Sequence, residues 1–253
     1  MTYAVAMRLD RGLVFAADTR TNAGVDHISK FRKLHVWRKP GDRVLVLLTA
    51  GNLGVTQSVV SLLNEQLASV DEPVHDAEGN EVPRETLFTV TSMYRAARHV
   101  GSAIREVRKS DYESLEASRT GFNASFILGG QIGSEPPRLF QIYAEGNFIE
   151  ALDDSPFLQI GEHKYGKPIL DRVAQPGMRL GEAAKLLLLS FDSTIRSNLS
   201  VGMPIDLLIY ERDTLDVRRQ KRIEQDDEYF KLLSASWAGA LREAFSKIDE
   251  FKV

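Results

Sequence analysis

TYAVAMRLDRGLVFAADTR, residues 2–20, reads as two strands joined by a turn. Val5, Met7 and Leu9 alternate with Ala4, Ala6 and Arg8, the period-two spacing of a strand, and Asp10-Arg11-Gly12 is a turn signal before the next run. That run, residues 13–17, is apolar on both faces, as is RVLVLLT at 43–49. Strands with no polar face must be covered on both sides, so the sheet they build is sandwiched between other layers.

The pattern continues outward from this hairpin. Val55, Val59, Leu62, Leu63 and Leu67 keep helical spacing to about residue 69, directly after a strand. Residues 71–83, with two prolines and five carboxylates, read as a solvated loop. The spacing predicts a helix over 86–107, strands over 122–128 and 138–144 joined by a turn at 129–137, and a short strand over 147–151. Helices follow over 163–173 and 180–199, then strands over 204–210 and 215–219. The last segment, 223–251, carries Tyr229, Phe230, Leu233, Trp237, Leu241, Phe245 and Ile248 at three- and four-residue intervals, a helix with an aromatic stripe. Such a stripe covers its own core or meets another subunit. The order implies two sheets with helices outside each, without an internal linker or repeat.

The chain has 253 residues, 43% of them apolar, enough for a substantial core and incompatible with disorder. A net charge of −3 with mixed signs implies no nucleic-acid or other polyanion partner. The absence of cysteine removes disulfides, thiolate nucleophiles and cysteine-bound metal. No stretch reaches about 18 uncharged apolar residues, so the expectation is a cytoplasmic protein away from the membrane.

Familiar catalytic patterns fail in turn. His27, His35, His75, His99 and His163 form no pair at four-residue spacing, so no metal site and no cofactor is expected. Gly129-Gly130-Gln131-Ile132-Gly133 is followed by Pro136-Pro137 and a strand, where a dinucleotide loop needs a helix; it reads as a hairpin turn. Asp153-Asp154 and Asp226-Asp227-Glu228 are solvated charge, and no GxSxG or SxxK motif is present.

The N-terminus remains. Met1 precedes a small residue and is of the kind that aminopeptidases remove, after which Thr2 would bear a free α-amine. With a reference pKa of about 7.7 to 8.0, that amine can accept the hydroxyl proton and activate Thr2 as a nucleophile. A chain can also begin Met-Thr by accident. Asp18 ends the strand paired with the one Thr2 begins, and Lys33, before another short strand, can be its partner. The lysine charge would keep the amine basic in the useful range; an ordinary surface pair is the alternative. Thr49-Ala50-Gly51-Asn52-Leu53-Gly54 then joins a buried strand to a helix, where backbone N–H groups suit an oxyanion. A tight strand-to-helix turn explains the same glycines, whereas a phosphate loop would need the missing GK[ST] ending.

Together, Thr2, the run Ala17-Asp18-Thr19-Arg20-Thr21-Asn22-Ala23-Gly24, and Lys33-Leu34 followed by Thr49-Ala50-Gly51 resemble the proteasome β-subunit family of N-terminal nucleophile hydrolases. The likeness spans Thr2 to about Tyr210. Within that family, the run from Gly161 to Arg172 and the long C-terminal extension resemble the bacterial branch called Anbu. The resemblance implies an α+β, four-layer αββα sandwich over residues 1–220, with a C-terminal helical extension at 221–253 as an oligomer contact. It implies Thr2 as nucleophile, Asp18 and Lys33 as its supporting pair, Gly51 N–H as oxyanion donor, and Thr21 and Thr49 lining the substrate groove. It further implies a homo-oligomeric ring or spiral acting as a threonine-type peptidase or amidase on peptide or amide substrates. The alternative is a catalytically silent scaffold subunit. Where proteasome subunits carry a supporting serine and an aspartate, this chain has Glu162 and Ser197, with Ser200 matching a second supporting serine. The core triad is kept, and a weaker, narrower activity is expected.

Overall fold

The structure is a computed structural model that describes residues 2–22, 28–69, 74–75, 80–82, 84–117 and 121–252. The readings on Met1, Ala23, Gly24 and His27, and most of the loop at 71–83, fall outside those residues. In chain order the elements are β1 (Tyr3–Leu9), β2 (Gly12–Asp18), β3 (Arg20–Asn22), β4 (Ile28–Lys30), β5 (Leu34–Lys39), β6 (Arg43–Gly51), α1 (Leu53–Ala68), β7 (Val74–His75), β8 (Glu81–Val82) and α2 (Met93–Ala117). They continue with β9 (Ala124–Ile132), β10 (Arg138–Ile142), β11 (Phe148–Glu150), β12 (Phe157–Gly161), α3 (Lys167–Val173), α4 (Leu180–Ser197), β13 (Ile205–Glu211), β14 (Arg219–Ile223) and α5 (Glu228–Ser246).

Two five-stranded antiparallel sheets carry the chain, in the orders β12-β1-β2-β13-β14 and β11-β10-β9-β6-β5. The expected hairpin is present, with Ala4 opposite Ala17 and Leu9 opposite Gly12. Gly12 is required there: a Cβ would stand 2.0 Å from the Tyr210 carbonyl oxygen, at a φ of +141°. Alternation along the strands sorts their side chains. Tyr3, Val5 and Met7 pack with Leu180, Leu187 and Phe191 of α4. Ala4, Ala6 and Phe15 meet Val44, Val46 and Ile127 of the second sheet. Leu45, Leu47 and Phe126 pack beneath α1 and α2. The chain is thus mixed α+β, with both β2 and β6 covered on two faces, as their lack of polar positions required.

Several boundaries differ from the sequence reading. The helix expected over 86–107 begins at Met93, because Thr86 and Thr89 close a local turn (Thr86 N–H to Thr89 Oγ1, 2.8 Å) and the Glu135 carboxylate accepts the Met93 N–H at 2.7 Å. Gly129 and Gly130 lie inside β9, not in a turn. A Cβ on Gly130 would sit 2.0 Å from the Val44 carbonyl oxygen, and one on Gly129 would strike Phe15, so these glycines permit close approach of neighbouring backbone and sheet. The strand read at 215–219 lies at Arg219–Ile223, after a turn in which Asp213 and Leu215 adopt positive φ. Its charged edge sequence lacks the alternation that marks a half-buried strand. Ile223 belongs to that strand, and Asp227 caps α5 by accepting the Phe230 N–H at 2.9 Å. Where a solvated loop was read, β7 and β8 pair as a two-stranded antiparallel sheet.

Candidate active site

Thr2 immediately precedes β1, and alternation puts it on the face of Ala4 and Ala6 that looks toward the second sheet. Its carbonyl accepts the Glu162 N–H at 2.6 Å, just past β12, so the first residue of the strand is held from its neighbour. Gly161 makes this possible: its φ is +79°, and a Cβ would lie 2.1 Å from the Thr2 carbonyl oxygen. Thr2 opens onto a cavity of about 800 Å³ that Lys33, Thr49, Gly51 and Thr21 also line.

Asp18, at the end of β2, is fully buried, and Lys33 is 4% exposed. Lys33 Nζ donates to Asp18 Oδ1 at 2.7 Å and to the Arg20 carbonyl at 2.6 Å. Asp18 Oδ1 also accepts the Tyr3 N–H at 3.1 Å, which ties the acid to the start of β1. Burial pushes the Asp18 carboxyl up and the Lys33 ammonium down, and the contact between them opposes both shifts. A buried pair of this kind holds its geometry because either charge alone would be stranded. Two of the three ammonium N–H groups are engaged, and the residue lines the cavity.

Gly51 ends β6 opposite Ala124 with φ +112°, a conformation and a crowding (Cβ to Asn123 O, 2.3 Å) that only glycine meets. The following helix end is less open than its sequence suggested. Asn52 Oδ1 accepts from the N–H groups of Gly54 and Val55, and the Asn52 N–H donates to the Asn123 carbonyl at 2.7 Å. The helix N-terminus is therefore largely self-capped, and Gly51 lines the cavity together with Ala50, Asn52 and Leu53.

The two supporting serines are not at the cavity wall. Ser197 is exposed on the last turn of α4, and Ser200 is half-buried with its N–H on Asn198 Oδ1 at 2.9 Å. Asn198 is the residue that turns inward: as the extended C-cap of α4 it donates from Nδ2 to Glu162 Oε2 at 2.8 Å. Glu162 Oε1 accepts the Lys164 N–H at 2.8 Å, and despite burial these N–H donors hold its carboxyl below the usual range. This Glu162–Asn198 unit abuts Thr2 through the backbone. Sequence reasoning missed Asn198 because the periodicity placed it inside a helix read over 180–199, whereas α4 ends at Ser197. Among the described residues no group of three histidine, aspartate or glutamate side chains could hold a metal ion.

A two-sheet α+β fold that opens on a threonine beside a buried lysine–aspartate pair is that of the proteasome-related N-terminal nucleophile hydrolases. The solved structures narrow this. A Gly-1 mutant of Anbu from Hyphomicrobium sp. strain MC1 is 66% identical, with a TM-score of 0.89 and 100% of both chains covered. Anbu (ancestral beta-subunit) from Yersinia bercovieri is 48% identical at a TM-score of 0.87, over 100% of this chain and 99% of that one. The Anbu complex from Pseudomonas aeruginosa, solved as a helical assembly, is 47% identical at 0.89, over 99% and 98%. The chain belongs to the Anbu family. No protein-family model matches it, and no curated protein matches it.

Proposed function

We propose that the chain is a threonine-type amidohydrolase acting on peptide or related amide bonds within a self-assembling homo-oligomer in the cytoplasm. One observation carries this: the buried Lys33–Asp18 pair and Gly51 share a cavity with Thr2. Once Met1 is removed, Thr2 Oγ attacks the carbonyl carbon and its proton passes to the Thr2 amine. The Gly51 N–H stabilises the oxyanion. Collapse expels the leaving amine with that proton and leaves an acyl ester on Thr2. Water, deprotonated by the same amine, then releases the acid. Lys33, fixed by Asp18, disfavours protonation of the amine and so keeps it basic. Thr21 and Thr49 border the groove for substrate, the Glu162–Asn198 unit holds the start of β1, and Ser197 and Ser200 stand behind it without touching substrate. No step needs a cofactor.

The fold reading that supports this is a four-layer αββα sandwich over residues 1–220, with 221–253 as the extension through which subunits meet. The helical Anbu assembly from Pseudomonas aeruginosa supports a spiral or ring of copies. On α5, Leu232, Phe245 and, just beyond, Ile248 are exposed, as such a contact requires.

Intact-mass measurement of the purified protein, followed by peptide turnover with Thr2→Ala, tests the assignment. We expect Met1 to be absent, and the variant to lose on the order of 10³-fold or more in turnover while still assembling. Retained methionine would leave the Thr2 nitrogen an amide without a basic lone pair. That result, or turnover surviving in Thr2→Ala, identifies a scaffold subunit instead.

A further inference from the structure

We propose that the cavity beside Thr2 selects substrates whose residue on the acyl side of the scissile bond carries an uncharged, hydrogen-bonding side chain of the carboxamide kind. This rests on Thr2 as nucleophile and names the substrate class for that site.

The wall is rich in uncharged side chains that can hydrogen-bond. Thr21, Thr49, Thr56, Asn123 and Ser125 line it, from β3, β6, α1 and the edge of β9, with Leu53 as its one large apolar side chain. The hydrogen-bonding capacity left over is specific. Thr21 Oγ1 is buried and bonds to nothing among the described residues. Thr56 Oγ1 gives its proton to the Leu53 carbonyl at 3.0 Å, so it offers only lone pairs. Asn52 spends its Oδ1 on the helix N–H groups, which leaves its NH₂ as donor. Donors and acceptors thus stand around one space, and a carboxamide supplies both in return.

Charge and grease fit less well. Of the two ionisable side chains described on the wall, Lys33 is paired with Asp18, and Arg20 donates to the Leu199 carbonyl at 3.1 Å with its guanidinium lying over Gly202, so a substrate carboxylate would have to compete with those partners. Among the described residues no carboxylate lines the cavity to receive a cation. An apolar side chain would strip water from Thr21, Asn123 and Ser125 and return no hydrogen bond, a loss that polar-built sites convert into discrimination.

The test uses N-acetylated dipeptide epoxyketones, electrophiles that need both hydroxyl and amine of one terminal residue, identical except for glutamine, leucine, glutamate or lysine beside the warhead. Labelling of the native assembly is followed by intact mass. The glutamine probe should react at least about tenfold faster than the other three, equivalent to one net hydrogen bond or more. Thr21→Val and Ser125→Ala, checked for folding by thermal melting, should each shrink that margin several-fold. Equal or faster labelling by the leucine probe or by either charged one overturns the proposal while leaving Thr2 as nucleophile. If no probe labels in a Thr2-dependent way, the nucleophile reading fails. Pocket preference is then read by calorimetry with N-acetylglutamine amide and N-acetylleucine amide on Thr2→Ala. Glutamine binding no tighter than leucine there also overturns it.

Discussion

Asp18 and Lys33 illustrate how much one residue pair can settle. Neither charge would survive burial alone, since a lone ammonium or carboxylate in such a site would shed its charge. The pair is therefore a fixed object aimed at the start of β1, with Asp18 anchored by the Tyr3 N–H and Lys33 by the Arg20 carbonyl. Its pH behaviour follows from the direction of the shift. Burial lowers Lys33, so its positive charge is present at low pH and lost as pH rises through a value below the ordinary lysine range. Turnover should therefore rise as the Thr2 amine loses its proton, then fall on an alkaline limb below the free-lysine value of about 10.4. A kcat/KM profile from pH 6 to 11 checks this. A profile flat to the ordinary lysine range would mean that Lys33 does not act on the amine as a cation.

At the scale of elements, β1 is placed by its neighbours, and glycines set how close those neighbours come. β12 reaches Thr2 only because Gly161 has no Cβ to place against the Thr2 carbonyl. Gly161→Ala should displace the β12 end, lower the melting temperature by several degrees and abolish labelling of Thr2 by an amine-plus-hydroxyl electrophile. Gly181, in the first turn of α4 with open space around it, is the matched control. Gly181→Ala should keep activity and gain about 0.5–1 kcal/mol in chemical denaturation, because alanine narrows the unfolded ensemble and suits a helix. Equal behaviour of the two variants would show that steric room at Gly161 does not position Thr2. The same logic explains the misread glycines of β9. Gly129 and Gly130 looked like turn residues because a single chain carries no sign of the Val44 carbonyl or the Phe15 ring that approaches them in space.

For the whole molecule, α5 is the element with least to do in the isolated chain. None of its residues is fully buried, although Leu233 and Phe230 rest on the α4 side of the first sheet. Between α3, α4 and α5 lies an apolar groove of about 430 Å³ that Leu186, Leu189 and Trp237 help to line. Phe245, 80% exposed, sits near the end of the helix. Phe245→Glu should shift sedimentation toward small species while leaving the melting temperature of the dissociated subunit within about 1 °C, since no intrachain packing is lost. An unchanged assembly size would place the subunit contact elsewhere.

Read alone, the amino-acid order determined what depends on local periodicity and on residue type. It determined the β1–β2 hairpin, the doubly covered β2 and β6, the helices after residue 53 and residue 180, and the candidate roles of Thr2, Asp18, Lys33 and Gly51. Each is a pattern within a few residues, or a charge ending an apolar run that demands a partner. Tertiary structure decided the rest. It started α2 at Met93 through the carboxylate of Glu135, 42 residues away. It capped α1 with Asn52, turned Ser197 outward and Asn198 inward onto Glu162, and gathered a polar wall from four separate elements. Those outcomes depend on groups that meet only after the chain has closed on itself, and no spacing along the sequence encodes which carbonyl or side chain will be waiting there.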